Sequence, residues 1–360
     1  GRTLTLQPGW NLIGSPYSFP VKLDVDQAEF YGPLTYGGDT GEGWSDVVSE
    51  LLPWGGYALY NRENTARTLR IDPLAGPASL PRVADKPFDG WKLQLSVRGA
   101  TYSDPANFIG RVAGAKDDLD RFDNPEPPYL DEYVSLAMDR PGWSRLSGPG
   151  PAAAGIPRFT SDIRSPRGTN GVWDIDLYVK GEEGPVRISP HLFGEVPRDF
   201  QVVLLDLMTR EMTDLTSGND GILIADYIPA HDFQGKVLPH PFKVIAGAAD
   251  YVTRTVDEIL SMLPEKVALF QNYPNPFNPS TRIRYALPRP GLVSLKVYNL
   301  LGQEVVTLVD EWKPGGYHRI LWDGTDSRGA PVGTGIYIFR LHTQEPRGTT
   351  SRTRKMLLLK

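Results

Sequence analysis

The chain has 360 residues, of which 37 are glycine and 33 are proline, while hydrophobic residues make up 40%. Turn-forming residues are therefore common but stay below the excess of about 25–30% that marks disorder, which predicts two or three loop-rich folded domains. The net charge of -5 argues against a nucleic-acid scaffold, the apolar runs are far too short to span a bilayer, and the lack of cysteine excludes disulfides and thiolate sites.

Strand patterns dominate the chain. Turn signals recur about every eight to twelve residues, and the runs between them alternate apolar with polar residues, as in antiparallel sheets with one wet face. In the stretch 172–179, for example, residues 173, 175, 177 and 179 are apolar and share one face. The sequence thus predicts an all-β chain with strands at 3–6, 57–60, 91–97, 172–179, 201–207, 242–246, 293–298, 317–322 and 335–341.

Helical periodicity is confined to two stretches. Residues 46–52 are predicted to form a short helical turn, and 251–263 carries apolar residues at three- and four-residue steps. Proline-bearing connectors at 74–81 and 263–266 predict a small β domain at 1–80, a β-sandwich domain at 81–250, a linker at 251–266 and a last domain at 267–360. Because the chain begins at Gly1 without methionine, we expect that a signal peptide has been removed and that the protein is exported.

The most distinctive motifs lie in the last quarter of the chain. The segment 275–279 cannot be helical, because each of its prolines disfavours the helical conformation in the residue before it. Alternation at 293–297, a turn at 299–302 and a return at 305–309 predict a β-hairpin. The motif residues are Asn275, Pro276, Phe277, Asn278, Pro279, Trp322, Asp323, Gly324, Gly335, Tyr337 and Lys355.

With these residues, 271–360 closely resembles the type A C-terminal sorting domain of the type IX secretion system, an Ig-like fold that is also similar to the Ig-like domain of flagellar hook-capping scaffolds. The resemblance implies tandem antiparallel β-sandwich domains that end in an Ig-like domain, the type IX machinery as partner, and an extracellular or cell-surface location. An ordinary β-sandwich spacer is the alternative. Residues 1–250 resemble, more loosely, unnamed β-rich modules of large secreted bacterial proteins, and no activity can be carried over from them.

One acidic cluster suggests a metal. The carboxylates of Asp118, Asp120 and Asp123 could supply three of the six to eight oxygens that calcium prefers. EF-hand spacing is absent and Arg121 supplies a counter-charge, so a solvated acidic loop is the simpler interpretation. No other cofactor is predicted.

Other candidates for chemistry are weaker. His231 and His240 flank a predicted turn, where histidines are more often exposed or capped than metal ligands, and Trp44 and Trp143 beside glycine loops are candidate sugar-stacking platforms. A Gly-x-Ser-x-Gly elbow and a phosphate-binding Gly-Lys-Ser/Thr loop are both absent from the sequence. We therefore predict no catalytic residue and no enzyme.

These observations predict a non-catalytic secreted or cell-surface protein with a structural or adhesive role, such as the subunit of an extracellular filament. Its terminal strands, at 2–6 and 355–360, are predicted to mediate self-association, although each could instead complete the sheet of its own domain. The alternative function is the accessory C-terminal region of a secreted hydrolase whose catalytic domain lies upstream. The mature N-terminus of the native surface protein, measured by mass spectrometry, distinguishes the two.

Overall fold

The computed structural model confirms the predicted fold class. It describes residues 2–15, 21–23, 25–36, 44–45, 47–52, 55–71, 89–127, 132–140, 158–168, 170–182, 184–194, 196, 199–216, 222–224, 237–345 and 348–359. In these residues the chain forms several antiparallel sheets and one helix. That helix is neither long nor apolar enough to cross a membrane.

The chain divides into two compact units. The first unit comprises Gly1–Leu205, Met212–Pro229 and Phe242–Val252, and the second comprises Asp206–Glu211, Ala230–Pro241 and Thr253–Lys360. The finer division into domains at 1–80, 81–250 and 267–360 stays a prediction, because the connector at 72–88 lies outside the described residues.

The first unit begins with three small sheets around one core. The strands are β1 (Arg2–Leu6), β2 (Gly9–Gly14), β3 (Val21–Lys22), β4 (Phe30–Thr35), β5 (Glu50–Leu51), β6 (Gly56–Asn61) and β7 (Arg67–Ile71). They pair as β1-β7, β2-β6-β4 and β3-β5. The core includes Leu6, Phe30, Tyr57 and Leu59, all buried.

The predicted helical turn at 46–52 is wrong. Glu50–Leu51 is strand β5, and no described residue of 47–52 is helical. Backbone groups of this stretch form hydrogen bonds with neighbouring segments. Val48 N–H donates to the carbonyl of Pro33 at 2.8 Å, and the carbonyl of Ser49 accepts the N–H of Leu23 at 2.9 Å. A helix of seven residues forms too few internal hydrogen bonds to offset the free-energy cost of its nucleation. Hydrogen bonds to neighbouring segments therefore decide the conformation.

The larger part of the first unit is a two-sheet sandwich. Its strands are β8 (Gly90–Arg98), β9 (Ser103–Val112), β10 (Tyr133–Asp139), β11 (Arg158–Phe159), β12 (Ser161–Arg164), β13 (Gly171–Lys180), β14 (Val186–Gly194), β15 (Phe200–Asp206), β16 (Met212–Asp214), β17 (Ile222–Ile224) and β18 (His240–Ala248). One sheet has the order β11-β10-β13-β18-β15-β16 and the other β12-β9-β8-β14-β17. The pair β12-β9 is parallel.

Apolar side chains at alternate strand positions fill the core of this sandwich, as predicted. In β13 the side chains of Trp173, Ile175, Leu177 and Val179 are all at most 1% exposed. Trp173 meets Trp91 of β8 edge to face, with ring centroids 5.6 Å apart. The two sheets are therefore held together by large rings as well as by aliphatic contacts.

The predicted helix at 251–263 is confirmed as α1 (Ala249–Met262). Val252 and Val256 are buried, while Ile259 and Leu260 are half-buried on the same face. Apolar residues at three- and four-residue steps thus form one stripe of the helix.

The second unit contains a seven-stranded sandwich with the Ig-like arrangement of two sheets. Its strands are β19 (Ala268–Leu269), β20 (Thr281–Leu287), β21 (Gly291–Tyr298), β22 (Glu304–Lys313), β23 (Gly316–Trp322), β24 (Gly335–Glu345) and β25 (Gly348–Leu358). They form the sheets β19-β20-β23 and β22-β21-β24-β25. The predicted hairpin is the antiparallel pair β21-β22.

Both terminal strands pair within their own units. Strand β1 pairs with β7 from Arg2↔Ile71 to Leu6↔Arg67, and β25 pairs with β24 along its full length. Self-association through these strands stays a prediction.

Candidate functional site

The motif residues of the last domain meet around one buried tryptophan. Trp322, the final residue of β23, is 1% exposed. Its ring lies 5.5 Å from that of Phe277 and 5.4 Å from that of Tyr337. The indole Nε1–H donates to the carbonyl of Thr325 at 2.9 Å, and the Tyr337 hydroxyl donates to the carbonyl of Gly333 at 2.8 Å. All three rings are thus packed, and the polar atoms of Trp322 and Tyr337 are hydrogen-bonded.

The motif segment also bonds to the C-terminal end of the last strand, β25. Phe277 N–H donates to the carbonyl of Leu357, and Leu359 N–H donates to the carbonyl of Phe277, both at 3.0 Å. The side-chain oxygen of Asn275 accepts the N–H of Leu357 at 2.9 Å. Phe277 therefore forms a parallel bridge to Leu358 at an edge that would otherwise expose backbone groups. We call these contacts of Asn275 and Phe277 with Leu357–Leu359 the terminal clasp.

A glycine turn supports the clasp. Gly324 has φ +76°, and a Cβ on it would lie 2.7 Å from the carbonyl oxygen of Pro279. Asp323 shapes the same turn, because its Oδ1 accepts the backbone N–H of Thr325 at 3.1 Å and the Thr325 hydroxyl at 2.6 Å. The motif order Asp-Gly thus has a steric and a hydrogen-bonding reason. At Gly335 nothing lies within 4 Å of a Cβ, so the structure offers no steric reason for glycine there.

The remaining motif residues lie on the surface. Pro276 and Asn278 are exposed, and so is the side chain of Lys355. The carbonyl of Lys355 accepts the side-chain amide of Gln271 at 2.8 Å. The structure therefore joins Asn275, Phe277, Pro279, Trp322, Asp323, Gly324 and Tyr337 in one cluster and leaves the Lys355 ammonium in solvent.

In the first unit, the predicted calcium residues mainly hold a loop. Asp118 is exposed. Asp120 accepts the N–H groups of Lys116 at 2.7 Å and Phe122 at 2.8 Å, one on each carboxylate oxygen. Within the described ranges, no group of three or more His, Asp or Glu side chains is placed to hold a metal ion. These bonds are those of a loop-shaping carboxylate, and calcium binding stays a prediction.

Asp123 is the buried member of this cluster. It is 1% exposed, and its two carboxylate oxygens accept the N–H groups of Asp120 and Ile163, both at 2.9 Å. Burial raises the pKa of Asp123 to about 7, against the lowering effect of these two hydrogen bonds, and the charges of Asp120 and Asp162 add to the increase. This carboxyl therefore titrates near neutral pH in the folded chain.

We expect this titration to appear in the stability of the protein. The folded state keeps the Asp123 proton up to about pH 7, whereas the unfolded chain loses it near pH 4. The contribution of Asp123 is thus fully present below about pH 4 and falls as pH rises to about 7. Melting temperatures of the wild type and of Asp123→Asn should be measured from pH 4 to 8. A difference between the two that does not change with pH would contradict the prediction.

Near Asp123, the first sheets of the unit contact the sandwich. The Arg62 guanidinium donates to the carbonyl of Asp123 at 3.1 Å and to the side-chain oxygen of Asn124 at 2.6 Å. Trp10 Nε1–H donates to the carbonyl of Glu126 at 2.9 Å. The acidic loop at 117–126 is therefore part of a structural joint, which sequence spacing did not reveal.

A second buried carboxylate was not predicted. Asp162 of β12 is 1% exposed, and both of its oxygens are bound by two guanidinium groups. Arg164 donates through Nε at 3.0 Å and NH2 at 2.8 Å, and Arg140 donates through NH2 at 3.1 Å, while its Nε lies 2.9 Å from Oδ2 as an ion pair. Arg164 also lies 4.5 Å above the Trp173 ring. The group is an internal ion cluster held by bidentate geometry.

The structure describes one of the two candidate histidines, His240. His231 lies outside the described residues. His240 is buried rather than solvent-exposed, and its Nε2 lies 3.0 Å from Asp206 Oδ1. Burial acts to raise the pKa of Asp206, but its hydrogen bond and charge interaction with His240 outweigh that effect and lower it. The pair holds two segments of the second unit together.

An aromatic pocket lies in the first unit. It contains the predicted platform residue Trp44, whose ring centroid is 5.1 Å from that of Tyr36, whereas Trp143 lies outside the described residues. The cavity measures about 30 Å³, and its lining includes Tyr31, Tyr36, Trp44, Tyr102, Tyr133, Asp104 and Glu126. At roughly 10–15 Å³ per water, it has room for about two waters. Sugar stacking on Trp44 stays a prediction.

No family model and no curated protein matches the chain. Among solved structures it is similar to PorZ, an essential bacterial surface component of the type-IX secretion system of Porphyromonas gingivalis, with 12% identity, a TM-score of 0.20, and coverage of 52% of this chain and 29% of PorZ. It is also similar to a β-glucuronidase from Ruminococcus gnavus, with 10% identity, a TM-score of 0.15, and coverage of 65% and 47%. The chain spans less than half the length of either protein. At these TM-scores neither likeness carries an argument about function.

Proposed function

We propose that this chain is a non-catalytic structural or adhesive protein of the cell surface or extracellular space, and that residues 267–360 serve as its type IX sorting domain. The observation that carries the proposal is the terminal clasp. Asn275 and Phe277, the core of the resemblance to sorting domains, bond directly to the strand that ends the domain. The motif thereby has a physical role, because it fixes the end of that strand.

A fixed end of this strand suits a domain that is handed to export machinery. Unpaired backbone groups at the edge of a final strand are a template for pairing with other chains. Phe277 and Asn275 occupy those groups at Leu357 and Leu359. The Lys355 ammonium, close to the clasp, is among the exposed groups that the machinery could bind.

A non-catalytic role is supported by the use made of the buried carboxylates. Asp123 accepts two backbone N–H groups, Asp162 is bound by two arginines, and Asp206 lies against His240. Each of these groups joins segments that are distant in sequence. Such bonds stabilise an architecture, as expected for a structural protein.

The export proposal is tested by truncation in the native host. A chain lacking residues 267–360 should accumulate in the periplasm, whereas the full chain should reach the surface, as measured by cell fractionation and surface labelling. Protease resistance of the trapped chain distinguishes failed export from misfolding. The full chain carrying Leu301→Ala, a change at a surface position that is 84% exposed, is the control and should be displayed normally. Undiminished surface display of the truncated chain would refute the proposal.

A further inference from the structure

One face of the last domain has an unusual composition. The sheet β19-β20-β23 packs one side on the core, and the large side chains of its other side are exposed, whereas Ala286 on that side is buried. Strand register places the side chains of the exposed side in three rows, each of which crosses the sheet. The rows are Tyr273, Arg282 and Leu321, then Phe270, Arg284 and Arg319, then Ala268, Ala286 and Tyr317. We call the seven large side chains of these rows the arginine–aromatic face.

The large apolar members of this face are open to solvent. Tyr273 is 80% exposed, Tyr317 61%, Leu321 56% and Phe270 37%. The rings of Phe270 and Tyr317 lie 6.5 Å apart, and the Arg284 guanidinium lies 5.5 Å from the Phe270 ring centroid. Several large apolar side chains exposed on one sheet face commonly mark an interaction site.

The charge of the face has one sign. Strands β19, β20 and β23 contain no Asp or Glu, while Arg282, Arg284 and Arg319 are all exposed. The fold needs only the opposite side of this sheet for its core. Tyrosine, phenylalanine and arginine are the residues enriched at protein interfaces, where they contribute most of the binding energy.

The distribution of charge along the chain favours a second copy of the chain as the partner. Residues 1–266 contain 25 Lys and Arg against 37 Asp and Glu, a formal net charge of -12, whereas residues 267–360 contain 13 against 6, a net charge of +7. Each copy of the chain thus carries two segments of opposite net charge. Complementary potentials favour association and fix its orientation.

We propose that the arginine–aromatic face binds an acidic surface within residues 1–266 of a second copy of the chain. Because the two surfaces differ, the contact is head-to-tail and generates rings or open chains of subunits. The inference goes beyond the export proposal and uses a surface other than the terminal strands. It concerns the purified protein, so that its failure and a failure of export are observed in separate experiments.

The test is sedimentation velocity of the full chain over a range of concentrations and salt. The wild type should show a mass that grows with concentration at about 0.01 M salt and shrinks toward the monomer at about 1 M, where the Debye length falls from about 30 to about 3 Å. The double reversal Arg284→Glu/Arg319→Glu should weaken association on the order of tenfold or more. Tyr317→Ala, which leaves the charge unchanged, should weaken it as well.

A matched control distinguishes an effect of the arginine–aromatic face from an effect of net charge. The double reversal Arg328→Glu/Arg352→Glu changes two exposed arginines of the same domain by the same total charge, and it should leave association within about twofold of the wild type. Circular dichroism and melting temperature verify that every variant is folded. The proposal is overturned if the wild type stays monomeric at all concentrations, if both reversals weaken association equally, or if neither does.

Discussion

Replacement of Trp322 by alanine should lower the free energy of unfolding of the second unit by about 3–5 kcal/mol. The indole is 1% exposed and contacts the rings of Phe277 and Tyr337, so its removal leaves a cavity at the centre of the motif cluster. It also leaves the carbonyl of Thr325 without the indole N–H. Calorimetry of the full chain should show the corresponding transition at a clearly lower temperature.

The neighbouring residue provides the control for this variant. Leu321 is 56% exposed on the opposite side of the same strand. Leu321→Ala should change the free energy of unfolding by no more than about 0.5 kcal/mol, as expected of a surface substitution. Hydrogen exchange should locate the loss of protection in Trp322→Ala at β25 and the segment 275–279. Equal destabilisation by both variants would contradict the assignment of Trp322 as the central packing residue.

Replacement of Asp162 by alanine should destabilise the first unit by about 3–5 kcal/mol, the usual cost of removing one partner from a buried ion pair. Arg164 and Arg140 would lose three hydrogen bonds to this carboxylate and the ion pair of the Arg140 Nε with it. The Arg164 side chain, which is 14% exposed, would remain charged with little solvent to replace them. Urea denaturation followed by circular dichroism measures the change.

A surface ion pair in the same sandwich is the matched control. Asp174 of β13 bonds to Lys243 but its side chain is 64% exposed. Asp174→Ala should therefore cost no more than about 1 kcal/mol, because solvent screens an exposed pair. If Asp162→Ala were no more destabilising than Asp174→Ala, the two arginines would have to be stabilised by something other than this carboxylate.

Local sequence patterns predicted ten of the 25 strands that the structure describes, together with the helix α1. Strand β13 follows from alternation alone, since successive side chains of an extended chain point to opposite faces. Helix α1 follows from its three- and four-residue steps, which place Val252 and Val256 on one stripe. The prolines around Phe277 indicated an extended segment, and the residues of that segment carry the resemblance to sorting domains. Each of these inferences depends on covalent geometry within a few residues.

Only the tertiary structure decided what those elements contact. The described residues 47–52 are not helical, because backbone bonds to Pro33 and to Leu23 take the place of internal helical bonds. The two arginines bound to Asp162 and the pairing of Phe277 with Leu357 join residues whose separation in sequence carries no signal.

The sequence by itself determined an all-β chain of sandwiches, the hairpin β21-β22, the helix before the last domain and the motif residues within that domain, because their signals lie in local periodicity and turn chemistry. The tertiary structure decided that Asn275 and Phe277 bond to the end of the last strand and that three arginines share one sheet face. It also decided that Asp123 is buried, which raises its pKa to about 7. These features depend on strand register and burial, which are set by contacts between distant segments once the cores have formed.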